Sequence, residues 1–101
     1  MEITQFQNKV FCIVKEIPRG RVLTYKKISI LLGNKNWARA VGNALHNNKD
    51  QFLIPCYRVV NAKGKLSISY AFGGIDEQKR LLENDGIKVV NYRVDIEKYL
   101  M

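Results

Sequence analysis

The sequence predicts an α+β fold, mainly helical, arranged as a single domain of winged helix-turn-helix layout. Three observations predict it. Apolar residues recur at helical spacing in several segments that are separated by Gly, Pro and Asn turns. Two of these segments, "YKKISILL" and "WARAVGNALHN", are joined by nothing longer than "GNKN". After Asp50 the chain changes to short pieces rich in β-branched residues, and a length of 101 residues leaves no room for a second core.

The elements follow in order. Thr4 and Gln7 have the spacing of a capping box, and Phe6, Val10, Ile13, Val14 and Ile17 then share one helical face. Pro18 ends that helix and "PRGR" turns the chain. Cys12 lies within it and reads as a small buried apolar residue. "VLT" is a short strand, and Thr24 fits the N-cap of "YKKISILL", whose Ile28, Leu31 and Leu32 face inward before Gly33 stops the helix. Asn36 is the expected cap of the next helix. There Val41 and Leu45 point to the core, while Ala38, Gly42 and Asn43 form a small-residue side.

"QFLIP" and "YRVVN" read as extended, "NAKG" as a turn and "KLSIS" as the extended piece of a small wing. Ile75, Leu81 and Leu82 mark a last amphipathic helix, "IDEQKRLLEND", closed by Gly86. "IKVV" and "YRVDI" alternate like a terminal hairpin.

The placement of charge says more than its sum of +8. Seven basic residues and no acid lie between Arg19 and Lys49, whereas six of the nine acids follow residue 70. One basic end and one mixed end is the electrostatic footprint of a nucleic-acid binder. Lysines also keep small domains soluble, and two helices joined by a tight turn also occur in plain cores. The short turn and the acid-free stretch together favour DNA. No apolar run approaches a membrane span, and the polar, mixed-charge N-terminus is unlike a secretory signal. The expectation is a monomer with no membrane partner, cytoplasmic and nucleoid-associated, or nuclear in a eukaryote. Two cysteines, a lone His46 and no C-x-x-C or H-x-x-x-H spacing provide neither a disulfide framework nor a zinc set. No metal or cofactor is expected.

"FLIPCYRVV" poses the chemical question. Cys56 between Pro55 and Tyr57 is either an apolar filler or a nucleophile held by a rigid neighbour.

In order, "IPRGRVLTY", "ARAVGNAL", "NN", "IPCYRVVNAKGKL" and "KRLLENDG" resemble the DNA-binding, active-site domain of the O6-alkylguanine-DNA alkyltransferases. That family reads I-P-x-G-x-V-x-T-Y, then R-A-V-G, then I-P-C-H-R-V. The similarity covers roughly residues 5–90 and rests on several motifs in sequence. The separate N-terminal domain of many alkyltransferases has no counterpart in these residues. In size the chain is similar to the alkyltransferase-like proteins, which bind alkylated DNA without repairing it and usually carry tryptophan in place of the cysteine. This sequence keeps Cys56.

The resemblance implies double-stranded DNA containing O6-alkylguanine as partner, with the damaged nucleotide turned out of the stack. It makes Arg39 the finger that fills the vacated space and Tyr25 the residue that turns the neighbouring phosphate. Ala38, Gly42, Asn43 and Ala44 become a slim face that approaches the minor groove. It makes Cys56 the alkyl acceptor, and Asn48 a hinge between the recognition helix and the active-site strand. Arg58 becomes a structural hydrogen-bonding residue. The carbonyls of Cys56 and Val59 become readers of the guanine amino edge. Tyr70 takes the place of the lid aromatic, and Ser69 that of a hydrogen-bonding partner to guanine. Each has a plainer alternative: a solvated arginine at 39, a Tyr25 ring packed on Ile28, a helix contact at Gly42, a C-cap at Asn48.

The pattern departs at Tyr57, which stands where the family has histidine, and at Asp85, which stands where it has glutamate. A phenol titrates near 10 and is a weak proton acceptor at neutrality. The expected function is therefore irreversible, single-use transfer of the alkyl group to Cys56, slowed by Tyr57. The rival is a binder that flags alkylated DNA for another repair protein. An ordinary winged-helix regulator is the third possibility.

Overall fold

A computed structural model of the chain describes residues 5–68 and 70–101. Thr4 of the expected capping box, and Ser69, lie outside the described residues. α1 spans Gln5–Lys15 and buries Val10, Phe11 and Val14. Cys12 is exposed, contrary to expectation. Two residues along a helix is a 200° rotation from Val10, so the same periodicity that buries Val10 and Val14 turns Cys12 outward.

β1 (Leu23–Thr24) runs straight into α2 (Tyr25–Leu31), and Thr24 caps that helix by accepting from the Lys27 amide at 3.0 Å. Ile28 and Ser29 are its buried residues. Leu31, expected inside, is 52% exposed, because the helix ends there and the chain turns away through Gly33 at φ +104°. Asn34, not Asn36, is the cap that follows: its Oδ1 accepts from the Asn36 amide at 2.9 Å and starts a 3₁₀ turn, Lys35–Trp37. α3 (Ala38–His46) continues from that turn with no side-chain cap of its own. Buried Ser29 locks the helix-turn-helix, donating to the carbonyls of Lys26 (2.7 Å) and Lys35 (3.3 Å). Val41, Ala44 and Leu45 bury the inner face of α3.

"QFLIP" is not a strand. Asp50 Oδ1 accepts from the amides of both Phe52 and Leu53 at 3.0 Å, and this side-chain turn leaves the two apolar residues exposed. A second 3₁₀ turn, Cys56–Arg58, leads into β2 (Val59–Val60). β2 lies parallel to β1, with Leu23 opposite Val59 and Thr24 opposite Val60. This short pairing sets Tyr25 and Asn61 at neighbouring strand ends.

The wing is the loop after β2. Asn61 Oδ1 holds its turn by accepting from Lys63 (2.9 Å) and Lys65 (2.8 Å), and Lys65 pairs antiparallel with Arg93. α4 (Gly74–Asn84) packs Gln78, Leu81 and Leu82 inward, and the chain leaves it through Gly86 at φ +89°. Instead of a terminal hairpin there is one tight turn, with Val90 paired to Arg93, and then α5 (Ile96–Tyr99), capped by Asp95. Bonds of 2.9 Å from the Val22 amide to Tyr99 and from the Met101 amide to Val22 fix the tail beside β1. The architecture is the predicted α+β fold, mainly helical, with a helix-turn-helix at its centre.

Candidate active site

Cys56 is positioned by its backbone. Pro55 precedes it with φ −74°, the Cys56 amide donates to the Ile54 carbonyl at 2.7 Å, and the Arg58 amide donates to the Pro55 carbonyl at 2.9 Å. The side chain is buried. Asn48 Nδ2 donates to Sγ at 3.3 Å and to the Ile54 carbonyl at 2.8 Å, while its Oδ1 accepts from the Asp50 amide at 3.1 Å. Asn48 thus joins the end of α3 to the cysteine turn, and the cap position itself belongs to Asn47. The thiol donates to Tyr70 Oη at 4.0 Å, and Tyr70 donates onward to Gln51 Oε1 at 2.7 Å. This chain of donors ends on an amide oxygen, which accepts no proton at neutral pH. Burial pushes the Cys56 thiol above its ordinary value, and the hydrogen bond that Asn48 donates to the sulfur offsets part of that rise.

Tyr57 and Asp85 meet beside this group. Tyr57 Oη donates to Asp85 Oδ1 at 3.2 Å. Asp85 Oδ2 is bound by Arg58 Nε at 2.7 Å, and Arg19 Nε stands 3.7 Å from Oδ1. Arg58 also donates to the Ile17 carbonyl at 2.9 Å. The carboxylate therefore serves as the shared partner of two guanidinium groups and a phenol. Burial raises the Tyr57 phenol above its usual range, Arg58 opposes the rise, and Asp85 adds to it. The sulfur is hydrogen-bonded to Asn48 and Tyr70, so Tyr57 faces the carboxylate rather than the thiol.

Two clefts meet at Tyr25. The outer one, about 550 Å³, is lined by Tyr25, Ala38, Arg39, Gly42, Asn43 and Asn61 among others. The inner one, about 30 Å³, lies over Cys56 and is lined also by Leu45, Tyr70 and Ala71. Tyr25, Gly42, His46 and Ser67 line both. The outer cleft has the size of a small-molecule site; the inner one holds about a water. The Tyr25 phenol, hydrogen-bonded to the Ser67 side chain, is raised by burial and by the nearby Cys56. A Cβ built on Gly42 would meet only the Tyr25 ring, at 3.9 Å, an ordinary contact. Helix packing therefore does not require glycine there, and what the missing side chain leaves is open cleft.

Arg39 and Asn43 are exposed at the mouth of the outer cleft, with Ala38 half-buried beside them. Val59 sits at the start of β2; its amide donates to the Cys56 carbonyl and its own carbonyl accepts from Gln78 Nε2 at 3.1 Å. Sequence reasoning missed Gln78, which is fully buried. Its Nε2 also donates to the Tyr57 carbonyl at 3.1 Å, and its Oε1 accepts from the Ser67 amide at 2.8 Å. The available signal was a glutamine on the same face of α4 as Leu81 and Leu82. Gln51, which holds Tyr70, gave no signal, because its role depends on a loop 19 residues away.

Residues 5–87 match the family model described as the DNA-binding domain of 6-O-methylguanine DNA methyltransferase. The chain is 36% identical to a DNA base-flipping protein of Vibrio parahaemolyticus over 94% of each. It is 42% identical to a methylated-DNA–protein-cysteine methyltransferase of Methanosarcina acetivorans over 84% of this chain, and spans about half of that protein (53%). It is 38% identical to a bifunctional methyltransferase/endonuclease of Picrophilus torridus, of which it spans a third (33%). The structure of S. pombe Atl1 in complex with damaged DNA containing O6-carboxymethylguanine superposes with a TM-score of 0.88 at 31% identity, covering 100% of this chain and 98% of that one. The chain belongs to the 6-O-methylguanine DNA methyltransferase family, as a DNA-binding domain of that family.

Proposed function

We propose that this chain binds O6-alkylguanine in duplex DNA, turns the nucleotide out of the stack, and accepts the alkyl group on Cys56 at a slow rate. The observation that carries this is the continuity of the two clefts: the one under α3 leads, past Tyr25, Gly42 and Ser67, to a buried thiol. Arg39 and Asn43 at the mouth suit contact with the duplex, and Arg39 suits the gap left by the flipped nucleotide. Because the inner cleft is only about 30 Å³, a purine enters only if Tyr70 and Ala71, which line it, move outward.

In the transfer, sulfur attacks the alkyl carbon, a C–S bond forms, and the bond to guanine O6 breaks. Guanine leaves with the electron pair, and one proton passes from the thiol side to the base. The thioether is stable, so each molecule acts once. The slow step is loss of the thiol proton, since burial keeps Cys56 protonated and Asp85 is already paired with Arg58 and Arg19.

The same two facts favour a second function, binding of the lesion without transfer and its presentation to another repair protein. The near-full-length match to a DNA base-flipping protein supports that alternative equally. Mass spectrometry after long incubation with an O6-methylguanine duplex separates the two. One added methyl on Cys56 is the expected result. Tight, lesion-selective binding with no mass gain would assign the chain to the binders, and binding without lesion preference would reject both.

A further inference from the structure

Behind the wing lies a larger cleft of about 990 Å³, formed by Lys63, Lys65, Lys88, Arg93 and Lys98 together with α5 residues. We propose that this cleft binds the phosphate backbone of the same DNA duplex, beyond the lesion site. The proposal rests on the chain being a DNA binder, and it adds a contact surface that the α3 cleft does not include.

Charge is the first support. Five basic residues line the cleft against two acids, Asp95 and Glu97. Asp95 Oδ1 is occupied in capping α5 through the Glu97 amide at 3.0 Å. Among the described residues the ion pairs involve Arg19, Arg58 and Arg80, so Lys63, Lys65, Lys88 and Arg93 keep their charge unpaired. All four are exposed.

Continuity is the second. Ala62 lines both this cleft and the outer cleft beneath α3. A duplex seated on Arg39 and Asn43 reaches the wing, where Lys63 follows Ala62 directly and Lys65 stands two residues further on.

Rigidity is the third. Arg93 is held beside Lys65 by a turn in which Asn91 (φ +52°) and Tyr92 (φ +57°) both adopt the left-handed conformation, one that tyrosine rarely takes. The Tyr92 carbonyl accepts from the Leu66 amide at 3.0 Å, and its phenol donates to Asp76 at 2.8 Å. Below them the Val94 amide donates to the Gly64 carbonyl at 2.9 Å, an approach so close that a Cβ on Gly64 would strike the Val94 carbonyl oxygen. The basic side chains thus stand on a preorganised floor, which suits a stiff polyanion.

The test is the salt dependence of binding to a duplex of about 20 base pairs, roughly twice the length the protein's 35 Å long axis spans at 3.4 Å per pair. The parent chain is compared with Lys65→Gln/Arg93→Gln and with the charge-matched control Lys9→Gln/Lys15→Gln on α1. Each lost phosphate contact lowers the slope of log K against log[salt] by about 0.9. The cleft variant is expected to lose about 2 from the slope and to keep its ratio of affinities for alkylated and plain duplex, because phosphate contacts carry no sequence or lesion information. The control is expected to keep the parent slope. Equal slopes for the parent and the cleft variant, or equal losses in both variants, overturn the proposal while leaving DNA binding intact. A parent chain that binds no duplex would overturn the functional assignment itself, and this proposal with it.

Discussion

Asp85 Oδ2 lies 2.7 Å from Arg58 Nε, and both side chains are largely shielded from water. Arg58 extends the bond to the Ile17 carbonyl at the end of α1, and Arg19 adds a second link to the Asn84 carbonyl at 2.6 Å. The pair fastens the cysteine turn to two helices. Removing one member of a shielded ion pair strands the other. Asp85→Asn is therefore expected to destabilise the fold by about 3 kcal/mol in urea unfolding. A loss under about 0.5 kcal/mol, typical of a solvated surface pair, would show that Arg58 finds water instead.

The protonation of Cys56 sets a pH dependence. An ordinary thiol titrates near 8.5, and burial moves this one upward. The reactive thiolate is then a minor species at neutral pH and grows about tenfold per pH unit until the raised pKa is reached. Modification of Cys56 by iodoacetamide, or methyl uptake from DNA, should accelerate continuously from pH 7 to beyond pH 8.5. A rate already level at pH 7.5 would mean the thiol is depressed rather than raised. The signal must be read at Cys56 by peptide mass, since Cys12 is exposed and reacts as well.

Tyr57→His tests what the phenol costs the reaction. An imidazole titrates near 6.5 and accepts a proton at neutrality, whereas a phenol does not. Positioned general bases contribute about a hundredfold or more, but Asp85 stays committed to Arg58 and Arg19, so the expected gain in methyl uptake at pH 7 is smaller, about tenfold. No gain would show that a side chain at position 57, which faces Asp85, does not take the thiol proton.

The parts of this fold that were legible in the sequence are those set by near neighbours. Pro18, Thr24, Gly33 and Gly86 punctuate the helices, and each acts on its own turn. The β1–β2 pairing was not legible, because two residues on each side carry no period and the partner lies 36 positions away by register. "QFLIP" misled by composition: Asp50 just ahead of it makes the turn that its apolar residues disguise. At the site, ordered motifs brought Tyr25, Arg39, Gly42 and Cys56 to one place. Which groups touch the sulfur was not readable, since Asn48 and Tyr70 reach it from different segments and Gln51 acts only through Tyr70.

Arg39→Ala separates binding from folding. Arg39 is exposed at the cleft mouth, so truncation should leave the melting temperature within about 2–4 °C of the parent. Affinity for an alkylated duplex should fall by roughly 1–3 kcal/mol, the usual worth of one well-placed arginine contact to DNA. Fluorescence anisotropy with labelled duplex measures it. Unchanged affinity would remove Arg39 from the interface and leave the gap at the flipped nucleotide to another side chain.

Gln78 links the cysteine turn to the start of the segment over the inner cleft through a single buried side chain. Its amide nitrogen binds the carbonyls of Tyr57 and Val59 on either side of Arg58, and its oxygen binds the Ser67 amide at the start of the segment that carries Tyr70. Gln78→Leu fills about the same space but leaves those three backbone groups without their partner. Each unsatisfied buried group costs about 1–3 kcal/mol, and partial rehydration of the exposed end brings the expected total to about 3 kcal/mol. Stability alone would not distinguish Gln78 from any core residue, so the decisive readout is local. Hydrogen exchange at the Ser67 amide should accelerate by at least about tenfold more than exchange at Val14 in the middle of the core, because the lid loses its anchor while α1 does not. Leu81→Val provides the comparison, a neighbouring change on the same helix face with no bond to the lid. If exchange at Ser67 and Val14 rises in step in both variants, Gln78 is only a packing residue. If Ser67 alone is released in Gln78→Leu, the inner cleft over Cys56 is held shut from α4, and nucleotide entry must work against that bond.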